Sequence, residues 1–168
     1  PRQAHHRDPQ RRPAPARDGL RLKHVAAELG VAADARHVLD VQDTEAVATA
    51  VGDVAVVVNT AGPFMLLAGP VVEACLRAGV SCVDPGNEQP AVHSLLARDG
   101  AAREAGVTLV TGAGLGLTST ECLTLQMRAQ MPVMRSVRSV LLTWNSQPSV
   151  GVKASVAAAM QVGSTRYV

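Results

Sequence analysis

The sequence predicts an α/β fold built on a doubly wound parallel sheet, and two observations carry that reading. Runs of β-branched residues begin near positions 54, 80 and 107, at intervals of 26 and 27 residues, with helical periodicity between them; this is the pitch of repeated strand–helix–strand units. Aromatic residues are almost absent, Phe64, Trp144 and Tyr167 being the only ones. The core must then be made of Val, Leu and Ala, which suits closely packed helix-on-sheet layers.

The elements follow in order. Residues 1–19 hold four Pro and five Arg and no branched aliphatic side chain; such a stretch buries no apolar surface and is expected to be a disordered tail. Leu22, Val25, Ala26 and Leu29 form one helical stripe, stopped at Gly30. RHVLD (36–40) reads as a short strand, and Asp43 as the cap of a helix through Val51 that ends at Gly52. VAVVV (54–58) reads as a strand buried on both faces. Leu67, Val71, Cys75 and Ala78 make the inner stripe of the next helix, with Glu73 and Arg77 paired on its outer face. VSCVD (80–84) is the following strand, residues 90–105 a helix broken or weakened at Gly100, and VTLVT (107–111) another strand. A helix over about 118–130 follows the glycine-rich 112–116, then a strand over 136–144 and a short helix over 153–163.

This gives three regions: the tail (1–19), a partial dinucleotide-binding-type domain (20–132), and the beginning of a second, substrate or dimerisation domain (133–168). No strand, glycine-rich turn and helix start stand together in residues 1–40 to hold a pyrophosphate. The first βα unit is therefore expected to be missing.

Charge and composition exclude some functions. Of the net charge of +2, residues 1–19 carry +3 and the rest −1, so no basic surface for nucleic acid is expected on the folded part. The five His and three Cys show no metal-ligand spacing. No apolar run approaches the roughly 18 residues of a membrane span. The expectation is a cytoplasmic protein with no metal, membrane or nucleic-acid partner.

Ligands of open α/β sheets bind at the carboxyl ends of the strands, which directs attention to four loops. Asn59-Thr60-Ala61-Gly62-Pro63-Phe64 follows VAVVV; its small residues let a cofactor approach the backbone, and Phe64 can cover a flat ring. A tight strand-to-helix turn is the plainer reading of the same residues. Asp40 follows the preceding strand, where it reaches the adenine edge of a dinucleotide or simply closes a turn. Asp84 and Glu88 flank the turn Asp84-Pro85-Gly86, either as an acid–base pair or as turn residues. Gly112-Ala113-Gly114-Leu115-Gly116 imitates a nucleotide fingerprint, but its third glycine comes one residue early and no acidic residue ends a following strand. It reads as a substrate-side loop.

Taken as an ordered series, VGDVAVVVNTAGPF, GPVVEACLRAGVSCVDPGNE and AAREAGVTLVTGAGLG resemble the NADP-binding domain of saccharopine-dehydrogenase-like proteins, a family that includes the trans-acting enoyl reductases. The resemblance covers about residues 36–125. It implies a Rossmann-type domain of an NAD(P)-dependent oxidoreductase, with NADP favoured over NAD. It also implies a small-molecule substrate, and a homodimer for the full-length protein. It places Asn59, Thr60, Gly62, Pro63 and Phe64 along the cofactor; Ala61 within the same loop and Asp40 from the strand-end reading complete the candidate cofactor set, and no catalytic residue is named. The family's N-terminal glycine loop has no counterpart here.

Two other functions compete. Asn59-Thr60-Ala61-Gly62 also looks like a short-chain dehydrogenase turn, but that chemistry needs a Tyr and a Lys about one helical turn apart, and Tyr167 has no such Lys. A non-catalytic remnant or interaction module that no longer binds dinucleotide stays open, because the phosphate cradle is missing.

Overall fold

The computed structural model describes residues 14–16, 19–138, 140, 152–154, 156, 157 and 160. Strand and helix alternate through β1 (Ala14–Ala16), α1 (Gly19–Glu28), β2 (Arg36–Val38), α2 (Thr44–Val51), β3 (Val56–Val58) and α3 (Phe64–Ala78). The series continues through β4 (Ser81–Val83), α4 (Gln89–Leu96), α5 (Asp99–Ala105), β5 (Leu109–Val110) and α6 (Leu115–Gln130). β1 and β2 form a parallel pair; β3, β4 and β5 form a parallel three-stranded sheet in that order. Each parallel neighbour is reached through a helical crossover, as parallel pairing requires. The Rossmann-type α/β reading is thereby borne out.

The core sits on one face of the three-stranded sheet. Val57, Cys82 and Leu109 lie in register across β3, β4 and β5, and Val71, Val72, Cys75 and Leu95 from α3 and α4 pack with them. A second cluster joins α2 to α3 through Val47, Val51 and Ala74, and Val57 touches both clusters. Leu39 and Val41, just past β2, reach these two clusters as well. The stripe expected on α3 is the buried one at Leu67, Val71 and Cys75, and the Glu73–Arg77 pair forms at 3.0 Å. Asp43 caps α2 as expected, accepting from the Ala46 N–H at 3.0 Å.

Several details differ from the sequence reading. Ala14–Ala16 is a strand within the stretch read as tail. Ala-Pro-Ala carries no β-branched signal, and the strand exists through its backbone register with Arg36–Val38. The segment 90–105 breaks at Ala97 and Arg98, whereas Gly100 lies inside α5. Arg98 leaves helical geometry while its guanidinium bonds back to the carbonyl and hydroxyl oxygens of Ser94. β3 is covered on one face only: Val56 and Val58 are 47% and 65% exposed. α1 buries Leu22 and Ala26, while Val25 and Leu29 are exposed, because its partners are two strands of only three residues.

Toward the C-terminus, residues 136–138 and 140 are not in a strand, and most of the expected strand over 136–144 lies outside the described residues. Of the expected helix over 153–163, residues 153, 154, 156, 157 and 160 are helical and the rest lie outside the described residues. Among the described residues no helix is long and apolar enough to cross a membrane.

Candidate functional site

The three loops that leave the carboxyl ends of β3, β4 and β5 lock together. Each starts as a continuation of the sheet: Asn59 N–H donates to the Val83 carbonyl at 2.8 Å, and Asp84 N–H to Val110 at 2.9 Å. Three consecutive strands therefore deliver their first loop residues side by side.

Asn59 is 4% exposed. Its Oδ1 accepts the Ala61 N–H at 3.0 Å, which folds the loop back on itself. That bond fixes the orientation of the amide, since a reversed amide would set NH2 against N–H. Nδ2 is then left buried with no hydrogen-bond partner. A buried amide donor without an acceptor costs about 1–3 kcal/mol, so its place at the carboxyl edge of the sheet, where open α/β sheets bind their ligands, is informative. Thr60 is exposed, and Ala61, Gly62, Pro63 and Phe64 are half-buried.

α3 starts at Phe64 with Pro63 in the capping position, and no local side chain caps it. The cap comes from the neighbouring loop. Glu88 accepts Phe64 N–H through Oε1 at 3.2 Å and Met65 N–H through Oε2 at 2.6 Å. The Phe64 ring packs on Gly86, where a Cβ would stand 2.8 Å from its Cγ.

Asp84 is 2% exposed and serves as the centre of the second and third loops. Its Oδ1 accepts Gly86 N–H at 2.8 Å and the Thr111 hydroxyl at 3.0 Å, and its carbonyl accepts Ala113 N–H at 3.0 Å. The glycines after β5 are explained by this packing. Gly112 has φ of 71° and a Cβ there would run into Leu117, while a Cβ on Gly114 would come within 2.9 Å of the Pro85 carbonyl oxygen. Residues 112–116 thus close a loop junction and open α6.

The structure brings Asn59, Thr60, Ala61, Gly62, Pro63 and Phe64 to this junction. Asp40 lies apart from it, in the turn two residues past β2, where its carboxylate accepts Gln42 N–H at 3.0 Å. Both carboxylates considered for acid–base work, Asp84 and Glu88, are engaged in holding loops. The sequence reading missed the cap. Its signal was Pro63 at the capping position where Ser, Thr, Asp or Asn would serve, since an uncapped helix start needs an acceptor from elsewhere.

Among the described residues no three His, Cys, Asp or Glu side chains gather to hold a metal. A cleft of about 230 Å³ between α4, α5 and β5, with Leu95 and Leu109 in its wall and Asp99 and Arg103 at its edge, opens beside the residues that enter β5. It therefore lies at the opposite end of the strand from the loop junction.

Residues 15–110, more than half of the chain, match the saccharopine dehydrogenase NADP binding domain family. The apo saccharopine dehydrogenase (L-Glu forming) of Saccharomyces cerevisiae has a similar structure, with TM-score 0.54 and 21% identity. That match covers 69% of this chain and 25% of the yeast chain, so this chain spans about a quarter of the yeast enzyme's length. At that identity the likeness establishes the fold. No curated protein sequence matches the chain. With the family match running from β1 to β5 over more than half of the chain, the chain belongs to the saccharopine dehydrogenase NADP-binding domain family.

Proposed function

We propose that this chain forms part of the cofactor domain of an NAD(P)-dependent oxidoreductase, with NADP as the favoured dinucleotide. The observation that carries the reading is the Asn59 amide: a buried donor, fixed in orientation and lacking an acceptor, at the carboxyl edge of a parallel sheet. A dinucleotide is rich in ribose, phosphate and carboxamide oxygens, any of which satisfies such a donor. Thr60 offers an exposed hydroxyl beside it, and Ala61 and Gly62 keep the backbone open to close approach. Phe64, held against Gly86, gives the loop an apolar wall, and Asp40 stands for the adenine end.

A bound nicotinamide supplies the hydride chemistry, and the protein's task is to hold and orient it. The phosphates have no place at α3, because Glu88 already occupies its first amides. In the whole protein the substrate is a small molecule and the assembly a homodimer.

Titration with NADPH and NADH, followed by nicotinamide fluorescence or calorimetry, tests the reading. Binding in the micromolar range is expected, with NADPH tighter. Asn59→Ala should weaken it about tenfold or more, as the loss of one buried hydrogen bond implies. Absence of binding at millimolar cofactor would overturn the reading and favour an interaction module.

A further inference from the structure

We infer that Glu88 is the positioning residue of the cofactor loop, holding residues 59–63 in place from the neighbouring strand's loop; the inference rests on the cofactor reading of Asn59. The loop is short, and each of its ends is tied to the chain segment that leaves β4. At one end Asn59 N–H is bonded to Val83, the last residue of β4. At the other, Phe64 and Met65 donate to one carboxylate oxygen of Glu88 each. The two anchors on that segment, Val83 and Glu88, are themselves tied together: Asp84 binds Gly86 N–H, and Gly86 packs on the Phe64 ring. The position of Asn59 Nδ2 is therefore set relative to β4 as well as β3.

Glu88 suits this role for three reasons. Pro63 leaves α3 with no local cap, so the amides of Phe64 and Met65 depend on a distant acceptor. A carboxylate matches two adjacent amides with its two oxygens and complements the positive end of the helix dipole. It also occupies the helix start where a free anion would otherwise bind, so the dinucleotide meets the loop through Asn59 and the backbone. Glu88 acts through the loop and touches no reacting atom.

The test uses the 168-residue chain with Glu88→Ala, Glu88→Gln, Asn59→Ala and the double variant Asn59→Ala/Glu88→Ala. Amide hydrogen exchange read by NMR should accelerate at least tenfold at Phe64 and Met65 in Glu88→Ala, with Val72 and Cys75 unchanged as internal proof of folding. Glu88→Gln, which keeps one acceptor oxygen, should recover part of the protection. Glu88→Ala should weaken NADPH binding about tenfold in the native background and less than twofold in the Asn59→Ala background, because its effect passes through Asn59. Unchanged exchange at Phe64 and Met65, or an equal loss of affinity in both backgrounds, would overturn the inference. Faster exchange in Glu88→Ala, together with no NADPH binding by the native chain, would uphold Glu88 as the anchor of the loop while overturning the cofactor reading.

Discussion

The smallest residues at the loop junction carry the tightest constraint. Gly86 lies between the Phe64 ring and the Asp84 carboxylate, and a methyl group there would stand 2.8 Å from Cγ of the first and 2.9 Å from Oδ1 of the second. Neither neighbour is free to move, since Phe64 starts α3 and Asp84 is bonded to two loops. Gly86→Ala should therefore destabilise by about 1–3 kcal/mol, the usual cost of overpacking. Gly100 gives the matching control: it lies within α5, and a Cβ there meets nothing within 4 Å. Gly100→Ala should stabilise by roughly 0.5–1 kcal/mol through lower chain entropy and better helix propensity. Urea unfolding of the two variants checks both signs. The sequence marks both positions simply as glycine; the difference between them is tertiary and has no local signature. The same limit applies to Glu88, which reads as an acid in a turn until its partners 23 and 24 residues away are known.

At the scale of elements, local chemistry was legible wherever it decides the outcome. The Asp43 cap, the α3 stripe and the Glu73–Arg77 pair each depend on residues within one or two turns, and each forms. The break between α4 and α5 was placed at Gly100, where propensity is weakest, but it occurs at Ala97 and Arg98. Leu95 helps explain why: it is buried against α3 and the sheet, and the chain must turn soon after it to bring Ala102 inward. Leu95→Ala should cost about 2–5 kcal/mol, measured by chemical denaturation. The cysteines separate in the same way. Cys75 and Cys82 are 0% and 1% exposed, on α3 and β4, whereas Cys122 is exposed on α6. A hydrogen bond between the two buried sulfurs lowers Cys75 and raises Cys82, and burial and the nearby Asp84 charge raise Cys82 further. Burial withholds both sulfurs from reagents. One thiol of three should react with a chromogenic disulfide in the native chain, and all three after denaturation. More than one fast native thiol would contradict the packing of α3 on β4.

The pitch of the apolar runs foretold the parallel sheet, and the family match over residues 15–110 spans the same alternation. What the pattern did not show is the uneven covering of the sheet. A run such as VAVVV implies burial on both faces, because β-branched density says how well a residue suits a strand and nothing about which neighbours are present. In the structure Val57 faces α3 and touches both core clusters, while Val56 and Val58 point the other way, and Val110, in register with Val58 across β4, is 39% exposed. The open face of β3 and the helix packed on its other face should therefore respond differently to a single hydroxyl. Val58→Thr, at a site 65% exposed, should change stability by no more than about 0.5 kcal/mol. Val72→Thr, at a site 1% exposed, puts the same hydroxyl into the core and should cost about 1–3 kcal/mol, since a buried polar group needs a partner. The pair differ by the same atoms, and Val and Thr are both β-branched with similar helix propensities, so the difference reports mainly burial. Equal losses at the two positions would mean that the Val56–Val58 face is as dry in solution as the α3 core, and the uneven layering described for this sheet would have to be given up.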